Sequence, residues 1–290
     1  MLNQEIINLY DEYTHKPLDR RVFLQRLTDL VGSAAVAVGL IPLLSANQAQ
    51  AAIIATDDAR LDTQHLRVKG KLGETKSYLA YPKKASKLPA VIVIHENRGL
   101  NAHIEDIARR LALEGFLVLA PDLLSPLGGT PTDEDAARTM IGKLESTQTL
   151  QQLDDAIVFL QQHAHSNGKV GAVGFCWGGG VVGDLAVHST SLAAGVVYYG
   201  RQPTSEDVAN INAPLLLNYG GLDTRINQGI PAFEEALKKA NKTYALHIYE
   251  GVNHAFNNDT SEARYNKAAA ELAWSRTVAF FKQYLLVKAL

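Results

Sequence analysis

The sequence has only one cysteine, Cys176, in 290 residues. A single thiol cannot form an intramolecular disulfide, so the chain is not a disulfide-stabilised scaffold. The paired cysteines of a zinc ribbon or of a dithiol redox site are also missing. Nothing else in the residues points to a cofactor. We therefore expect no cofactor and no metal.

The chain also lacks a large excess of charge of either sign. Its formal net charge is -2, and Lys and Arg do not cluster outside the N-terminal region. A nucleic-acid partner would need a basic patch to neutralise phosphates, so we expect none. Hydrophobic residues make up 47% of the chain and charged residues 20%. This balance is typical of a globular protein with a large core.

No hydrophobic run is long enough to predict a stable membrane span. The most apolar stretch, VGSAAVAVGLIPLLSA at 31–46, has sixteen residues and is interrupted by Gly, Ser and Pro. A membrane-spanning helix needs about 20 mainly apolar residues.

The N-terminal segment resembles a twin-arginine export signal. Arg20 and Arg21 precede the apolar run, which is followed by the small-x-small cleavage pattern AQA at 49–51. This order predicts a signal at 1–51, recognised by the export machinery, and a mature single domain at 52–290 in the periplasm. The acidic residues Asp11, Glu12 and Asp19 ahead of the arginine pair, and the length of this leader, count against an export signal. The alternative is an amphipathic helix packed on the domain of a cytoplasmic protein.

From about residue 59 the sequence alternates between strand and helix patterns. Two alternating runs split by glycines, DTQHLRVKG and ETKSYLAYP, predict a hairpin. The β-branched run PAVIVIHEN is typical of a strand buried on both faces of a parallel sheet. The pattern closes with a long helix predicted to begin at Ser261. We predict one α/β domain, with a mostly parallel sheet flanked by helices on both faces and ligands at the carboxyl ends of the strands.

Cys176 lies in GFCWG, at a predicted strand-to-helix junction. Gly-x-nucleophile-x-Gly at such a junction is the nucleophile elbow pattern, with cysteine in place of serine. A position at a helix N-terminus favours the thiolate. The N–H of Trp177 would form half of an oxyanion hole. The alternative is a glycine-rich turn that contains a buried cysteine.

An acid and a histidine follow the cysteine in the order that elbow hydrolases use. Asp223 comes just after the predicted strand APLLLNYGG, and His254 comes just after YALHIYEG. In this arrangement His254 moves protons, Asp223 orients its imidazole, and Cys176 attacks an acyl carbon. Either residue alone is common in loops. The order of all three residues favours a catalytic triad.

The motifs GFCWGG, GGLDTRI, EGVNHAF, APDL and YYG resemble those of the dienelactone hydrolase family, over about residues 60–288. The resemblance implies the α/β-hydrolase fold and a Cys176, Asp223 and His254 triad. It also implies that Glu96 contacts the resting thiol and helps to form the thiolate. The N–H of Asn97 would complete the oxyanion hole.

The sequence departs from the family pattern where dienelactone-cleaving members hold their substrate's carboxylate with two arginines. Asn258 occupies one of these positions, and the other region reads PDLLSPLGG. An amide cannot replace the charged, bidentate guanidinium. Arg98 and Arg201 lie near the predicted site and are candidates for the same role. One ring of the Tyr198–Tyr199 pair should face the cleft, and Tyr199 is our candidate.

The sequence therefore predicts a cofactor-independent hydrolase that cleaves a small-molecule ester or lactone through a cysteine acyl-enzyme. Thioesters, acyl sugars and peptides remain open as acyl donors for the same triad. A binding protein on a hydrolase scaffold is the alternative outside enzymes. The sequence leaves the oligomeric state open.

Overall fold

The structure is a computed structural model that describes residues 3–16, 18–45 and 52–286. The described residues form one eight-stranded sheet. Its strands are β1 (Leu61–Gly70), β2 (Gly73–Pro82), β3 (Leu88–Ile94), β4 (Leu117–Pro121), β5 (Ser166–Phe175), β6 (Ala194–Tyr198), β7 (Leu215–Gly220) and β8 (Tyr244–Tyr249).

Three helices precede the sheet and seven follow its strands in the described part of the chain. The first three are α1 (Gln4–His15), α2 (Arg20–Val31) and α3 (Ala34–Leu44). The others are α4 (Ala102–Leu113), α5 (Glu134–Ile141), α6 (Ser146–Gln162), α7 (Trp177–His188), α8 (Thr224–Asn227), α9 (Ile230–Lys239) and α10 (Lys267–Leu285).

The strands lie in the order β1-β2-β4-β3-β5-β6-β7-β8. The hairpin of β1 and β2 is antiparallel and joins β4, whereas all pairs from β4 to β8 are parallel. Helices cover both faces of the sheet, with α6, α7 and α9 packed on one face and α4 and α10 on the other. The predicted α/β fold and opening hairpin are confirmed. Parallel β3 is buried at every position because helices exclude water from both of its sides.

The closing helix begins later than the sequence pattern predicts. It starts at Lys267 rather than Ser261, because Asn266 caps it by accepting a hydrogen bond from the backbone N–H of Ala269. Residues 261–266 form turns instead. Asparagine is a preferred N-cap because its side chain replaces a missing helical acceptor.

The N-terminal helices form their own apolar cluster and pack on the α/β domain. The apolar face of α1 carries Ile6, Tyr10 and Tyr13 at helical spacing, and these side chains are buried. Tyr13 donates a hydrogen bond from its hydroxyl to Asp135 of α5 at 2.8 Å. The boundary at residue 51 stays a prediction, because the AQA motif at 49–51 lies outside the described residues.

Within the described ranges, no helix by itself is long and apolar enough to cross a membrane. Helices α2 and α3 meet the length and composition requirement only as a pair, and the pair is bent by 111°.

Candidate active site

The three predicted triad residues lie just beyond the carboxyl ends of parallel strands. Cys176 follows β5, Asp223 follows β7, and His254 follows β8. Parallel strands end at the same edge of a sheet, so residues far apart in sequence meet there. All three are buried, with 5–6% of each residue exposed.

Cys176 lies on a strained turn between β5 and α7. Its φ is 56° and its ψ is -115°, a conformation that residues with a side chain rarely adopt. A Cβ on Gly174 would lie 2.1 Å from the carbonyl oxygen of Gly178, and a Cβ on Gly178 would lie 2.4 Å from that of His95. Both glycines are therefore required by backbone contact. The sharp turn places the Cys176 thiol at the N-terminus of α7.

His254 and Asp223 form a tight pair. The Nδ1 atom of His254 lies 2.5 Å from Oδ2 of Asp223, with both side chains buried. A carboxylate only accepts hydrogen bonds, so Nδ1 is the donor, and in the neutral form of the ring Nε2 keeps its lone pair. That buried Nε2 has no hydrogen-bond partner among the described residues. His254 thus has the tautomer that a general base needs.

A second histidine, His15 at the end of α1, contacts the thiol directly. Its Nε2 lies 2.9 Å from Sγ of Cys176, and its ring centroid lies 4.5 Å from that of His254. On the other side of the His15 ring, Nδ1 lies 2.8 Å from the backbone carbonyl oxygen of Asp11 and 3.1 Å from its carboxylate.

Charges around His15 shift the pKa values of this cluster. Burial opposes the charged form of His15, but Cys176 and Asp11 together hold its pKa above the ordinary value. Burial also opposes ionisation of Asp11, yet His254, His15 and Arg225 hold its pKa well below the usual range. A neighbouring charge of opposite sign stabilises the ionised form, which explains both directions.

Glu96 lies at the site but makes different contacts from those that the resemblance implies. Its Oε2 accepts a hydrogen bond from Nδ2 of Asn258 at 2.8 Å, and its Oε1 accepts one at 3.4 Å from the hydroxyl of Tyr199. The polar contact of the thiol is with Nε2 of His15 instead, at 2.9 Å. Asn258, where the family pattern has an arginine, therefore anchors Glu96.

The candidate oxyanion residues lie beside the thiol. Trp177 is the first residue of α7, and the first N–H groups of a helix have no acceptor within the helix. Asn97 lines the same cavity, and its side chain donates to the carbonyl oxygen of Thr14 at 2.7 Å. Both residues line the cavity beside Cys176, and the role of their backbone N–H groups stays a prediction.

A cavity of about 300 Å³ opens onto these groups. It is lined by Cys176, His254, His15, Asn97, Trp177, Tyr199, Ile141, Ile226 and three arginines, among others. The prediction that Tyr199 faces the cleft agrees with this lining, since Tyr198 instead bonds to Thr277 at 2.7 Å. The cavity is large enough for a small ester and provides both apolar and charged walls.

Of the two arginines that the sequence suggested, only Arg201 lines this cavity. Arg98 bonds to the backbone of Glu134 and pairs with Asp135 of α5. It lines a smaller pocket beside Cys176 and His254 instead of this cavity. Arg201 does line the cavity, but it is 61% exposed and pairs with Asp184. Arg138 and Arg225 are the other two arginines that line the cavity. Neither was a candidate from sequence.

Arg225 has an unused donor. Its Nε lies 3.2 Å from the carboxylate of Asp11. Its buried Nη2 has no hydrogen-bond partner within the described part of the chain.

A sheet of this order with a cysteine elbow and a histidine–aspartate pair at its carboxyl edge defines an α/β hydrolase. The chain belongs to the dienelactone hydrolase family, which matches residues 75–285. It is therefore a hydrolase that acts on esters or lactones.

Individual relatives support this assignment. A protein of Escherichia coli O157:H7 named "Putative carboxymethylenebutenolidase" is 37% identical over 72% of this chain and 82% of its own length. A Salmonella typhimurium protein of the same name is 34% identical over 80% of this chain and 91% of its own. The crystal structure titled "Putative Dienelactone Hydrolase" from Klebsiella pneumoniae has a TM-score of 0.72 and 31% identity, covering 77% of this chain and 99% of that one.

His15 is not among the residues predicted from sequence, because residues 1–51 are predicted to be an export signal. The alternative prediction, an amphipathic helix packed on the domain, agrees with the buried apolar face of α1. The sequence pattern that supports this alternative is the helical spacing of the apolar residues Ile6, Tyr10 and Tyr13, with polar residues between them. That spacing predicts a docked helix, but not what lies beneath it.

Proposed function

We propose that the protein hydrolyses carboxylic esters or lactones with Cys176 as nucleophile, His254 as base and Asp223 as the residue that orients it. The observation that carries the proposal is the 2.5 Å contact between Nδ1 of His254 and Asp223, beside a thiol on a positive-φ elbow. One ring nitrogen of His254 and the Cys176 sulfur lie within 4.8 Å of each other. Before substrate binds, the hydrogen bonds of a catalytic site are often longer than an ordinary hydrogen bond.

In the first half-reaction, His254 takes the thiol proton and the sulfur attacks the carbonyl carbon. The N–H groups of Trp177 and Asn97 stabilise the oxyanion that develops. When the tetrahedral intermediate collapses, His254 returns the proton to the leaving alkoxide, and an acyl thioester remains on Cys176.

In the second half-reaction, His254 removes a proton from water as the water attacks the thioester carbon. Collapse of the second intermediate breaks the C–S bond and releases the carboxylic acid, and the proton returns to the sulfur.

The cavity favours a substrate with an anionic group. Three arginines line it, and the unpartnered Nη2 of Arg225 offers a buried donor. A guanidinium binds a carboxylate through charge-assisted hydrogen bonds. Arg225 thus takes the role for which the sequence suggested Arg98 and Arg201.

Because Cys176 is the only thiol, alkylation tests the mechanism directly. Turnover of p-nitrophenyl acetate is followed while iodoacetamide is added in small steps, with mass spectrometry counting the modified sites. We expect activity to fall in proportion to one equivalent of alkylation. Full activity after complete alkylation would refute the cysteine mechanism. Absence of turnover with esters, lactones, thioesters and acyl sugars alike would favour a binding protein.

We also propose that the protein is exported with residues 1–51 as signal. The support is the order of the Arg20–Arg21 pair, the apolar run and the AQA motif. Cleavage there would remove α1 and His15 from the site. N-terminal sequencing of the native protein tests this: a start near Ala52 is expected, and an intact Met1 would contradict it.

A further inference from the structure

We propose that Cys176, His15 and His254 together form a binding site for a zinc ion, which inhibits the enzyme. The geometry brings one sulfur and two imidazole nitrogens to a single point beside the cavity. The site includes His15, so it belongs to the chain before any cleavage at residue 51. Zinc binding does not depend on the proposed function, but the inhibition does, because the metal would occupy the nucleophile.

The distances suit a small tetrahedral ion. One ligand atom from each of the three residues lies within 4.8 Å of the other two, and His15 Nε2 lies 2.9 Å from Sγ. Bond lengths of about 2.3 Å to sulfur and 2.0–2.1 Å to nitrogen place tetrahedral ligands about 3.3–3.6 Å apart. Movements on the order of 1 Å in the side chains would satisfy that spacing.

Both histidines are already oriented as metal ligands usually are. A ligating imidazole almost always donates its second N–H to a carboxylate or a backbone carbonyl. Nδ1 of His254 lies 2.5 Å from Asp223, and Nδ1 of His15 lies 2.8 Å from the carbonyl oxygen of Asp11. Both acceptors fix the proton on Nδ1, so the two Nε2 atoms are left to bind the metal.

An independent observation is the buried Nε2 of His254. It has no hydrogen-bond partner within the described residues, and 5% of the side chain is exposed. Buried polar atoms are nearly always satisfied, so an unused lone pair beside a thiol and a second imidazole indicates a ligand. Zinc uses this mixture of sulfur and nitrogen ligands.

Coordination explains the inhibition. Zinc binds the thiolate, so the Cys176 proton is released to solvent as the S–Zn bond forms, together with any proton on His15 Nε2. The sulfur and the base then share the metal, and neither is available to a substrate. With three protein ligands, the fourth position of the ion is left to water.

The test uses the full-length protein, first stripped with a chelator, and Co²⁺ as a spectroscopic probe for the zinc site. We expect one equivalent of Co²⁺ to produce a thiolate-to-cobalt charge-transfer band, which in this chain can come only from Cys176. Equimolar Zn²⁺ should displace the cobalt, and turnover of p-nitrophenyl acetate should stop and then return with chelator. Absence of the charge-transfer band would overturn the proposal.

Variants identify the histidine ligands. His15→Asn should weaken zinc binding by more than about 100-fold, because even the outer partners of metal ligands are typically worth 10–100-fold in affinity. His65→Asn, a substitution at a histidine that is 71% exposed, is the matched control and should bind as the wild type does. Wild-type affinity in His15→Asn would overturn the assignment.

X-ray absorption of the zinc-loaded wild type identifies the ligand atoms around zinc and needs no variant. One sulfur and two imidazole ligands per zinc are expected, and a site without sulfur would contradict the proposal. Ester turnover by the chelator-treated wild type is the separate test of the proposed function, because it does not depend on whether zinc binds.

Discussion

The Nε2 atom of His15 lies 2.9 Å from Sγ of Cys176, although the two residues are separated by 161 positions in sequence. The helix that carries His15 forms one wall of the cavity, where Thr14 also contributes. The N-terminal helix is therefore part of the site in this structure. Substitutions in α1, and in the residues that dock it, should be detectable in measurements on the active site.

Asp223→Asn should lower kcat by about 10⁴-fold, because an amide can place a donor against Nδ1 of His254 and select the wrong imidazole tautomer. Steady-state kinetics with p-nitrophenyl acetate measure this, and circular dichroism checks that the variant is folded. Asp57→Asn, at an exposed aspartate, is the control and should leave kcat unchanged. A folded Asp223→Asn variant with wild-type kcat would exclude Asp223 from the triad.

Gly174→Ala should destabilise the protein by about 3 kcal/mol or more, because the added Cβ would meet the backbone of Gly178, which cannot rotate away. Denaturant unfolding measures the difference. Gly39→Ala is the control: its Cβ meets nothing within 4 Å, and alanine favours the helix by up to about 1 kcal/mol. Equal stability of the two variants would contradict the elbow packing.

Arg225→Gln should raise KM for an anionic ester such as p-nitrophenyl hydrogen succinate by about 10–100-fold. A rise of this size corresponds to the loss of one charge-assisted hydrogen bond to the substrate, worth about 1.5–3 kcal/mol of binding free energy. KM for neutral p-nitrophenyl acetate should change little. Arg201→Gln removes a mostly exposed arginine from the same cavity, one already paired with Asp184, and should have the smaller effect. A uniform rise for both esters would argue against carboxylate recognition by Arg225.

Asp135→Asn should destabilise the docking of the N-terminal helices by about 1 kcal/mol at neutral pH, a value kept small by partial exposure. Burial opposes ionisation of Asp135, but Tyr13, Arg138 and Arg20 hold its pKa below the ordinary 3.8.

A lowered folded-state pKa stabilises the protein above about pH 3.8, and this contribution is lost as the pH falls through the lower value. The difference in unfolding free energy between wild type and Asp135→Asn should therefore shrink below about pH 4. A difference that stays constant from pH 7 to pH 3 would exclude the charge as its cause.

Much of the fold could be predicted because its signals are local. The hairpin of β1 and β2, the buried run of β3 and the start of α7 at Trp177 follow from alternation, β-branched residues and glycines. The start of α10 was misplaced because the capping role of Asn266 depends on the geometry of one turn. A helical sequence pattern predicts that a helix is present more reliably than it predicts the residue at which the helix begins.

The sequence by itself determined the class of the protein and the candidates for its triad. Strand–helix alternation and the order Cys176, Asp223, His254 predict that the three residues meet, because parallel strands bring their carboxyl ends to one edge. Only the tertiary structure decided the contacts of the thiol, the role of Asn258 and the arginines of the cavity. Each depends on the packing of distant segments, as where α1 places His15 on Cys176. A periodic pattern specifies which face of a helix is buried, but the surface that it covers follows from the folded chain.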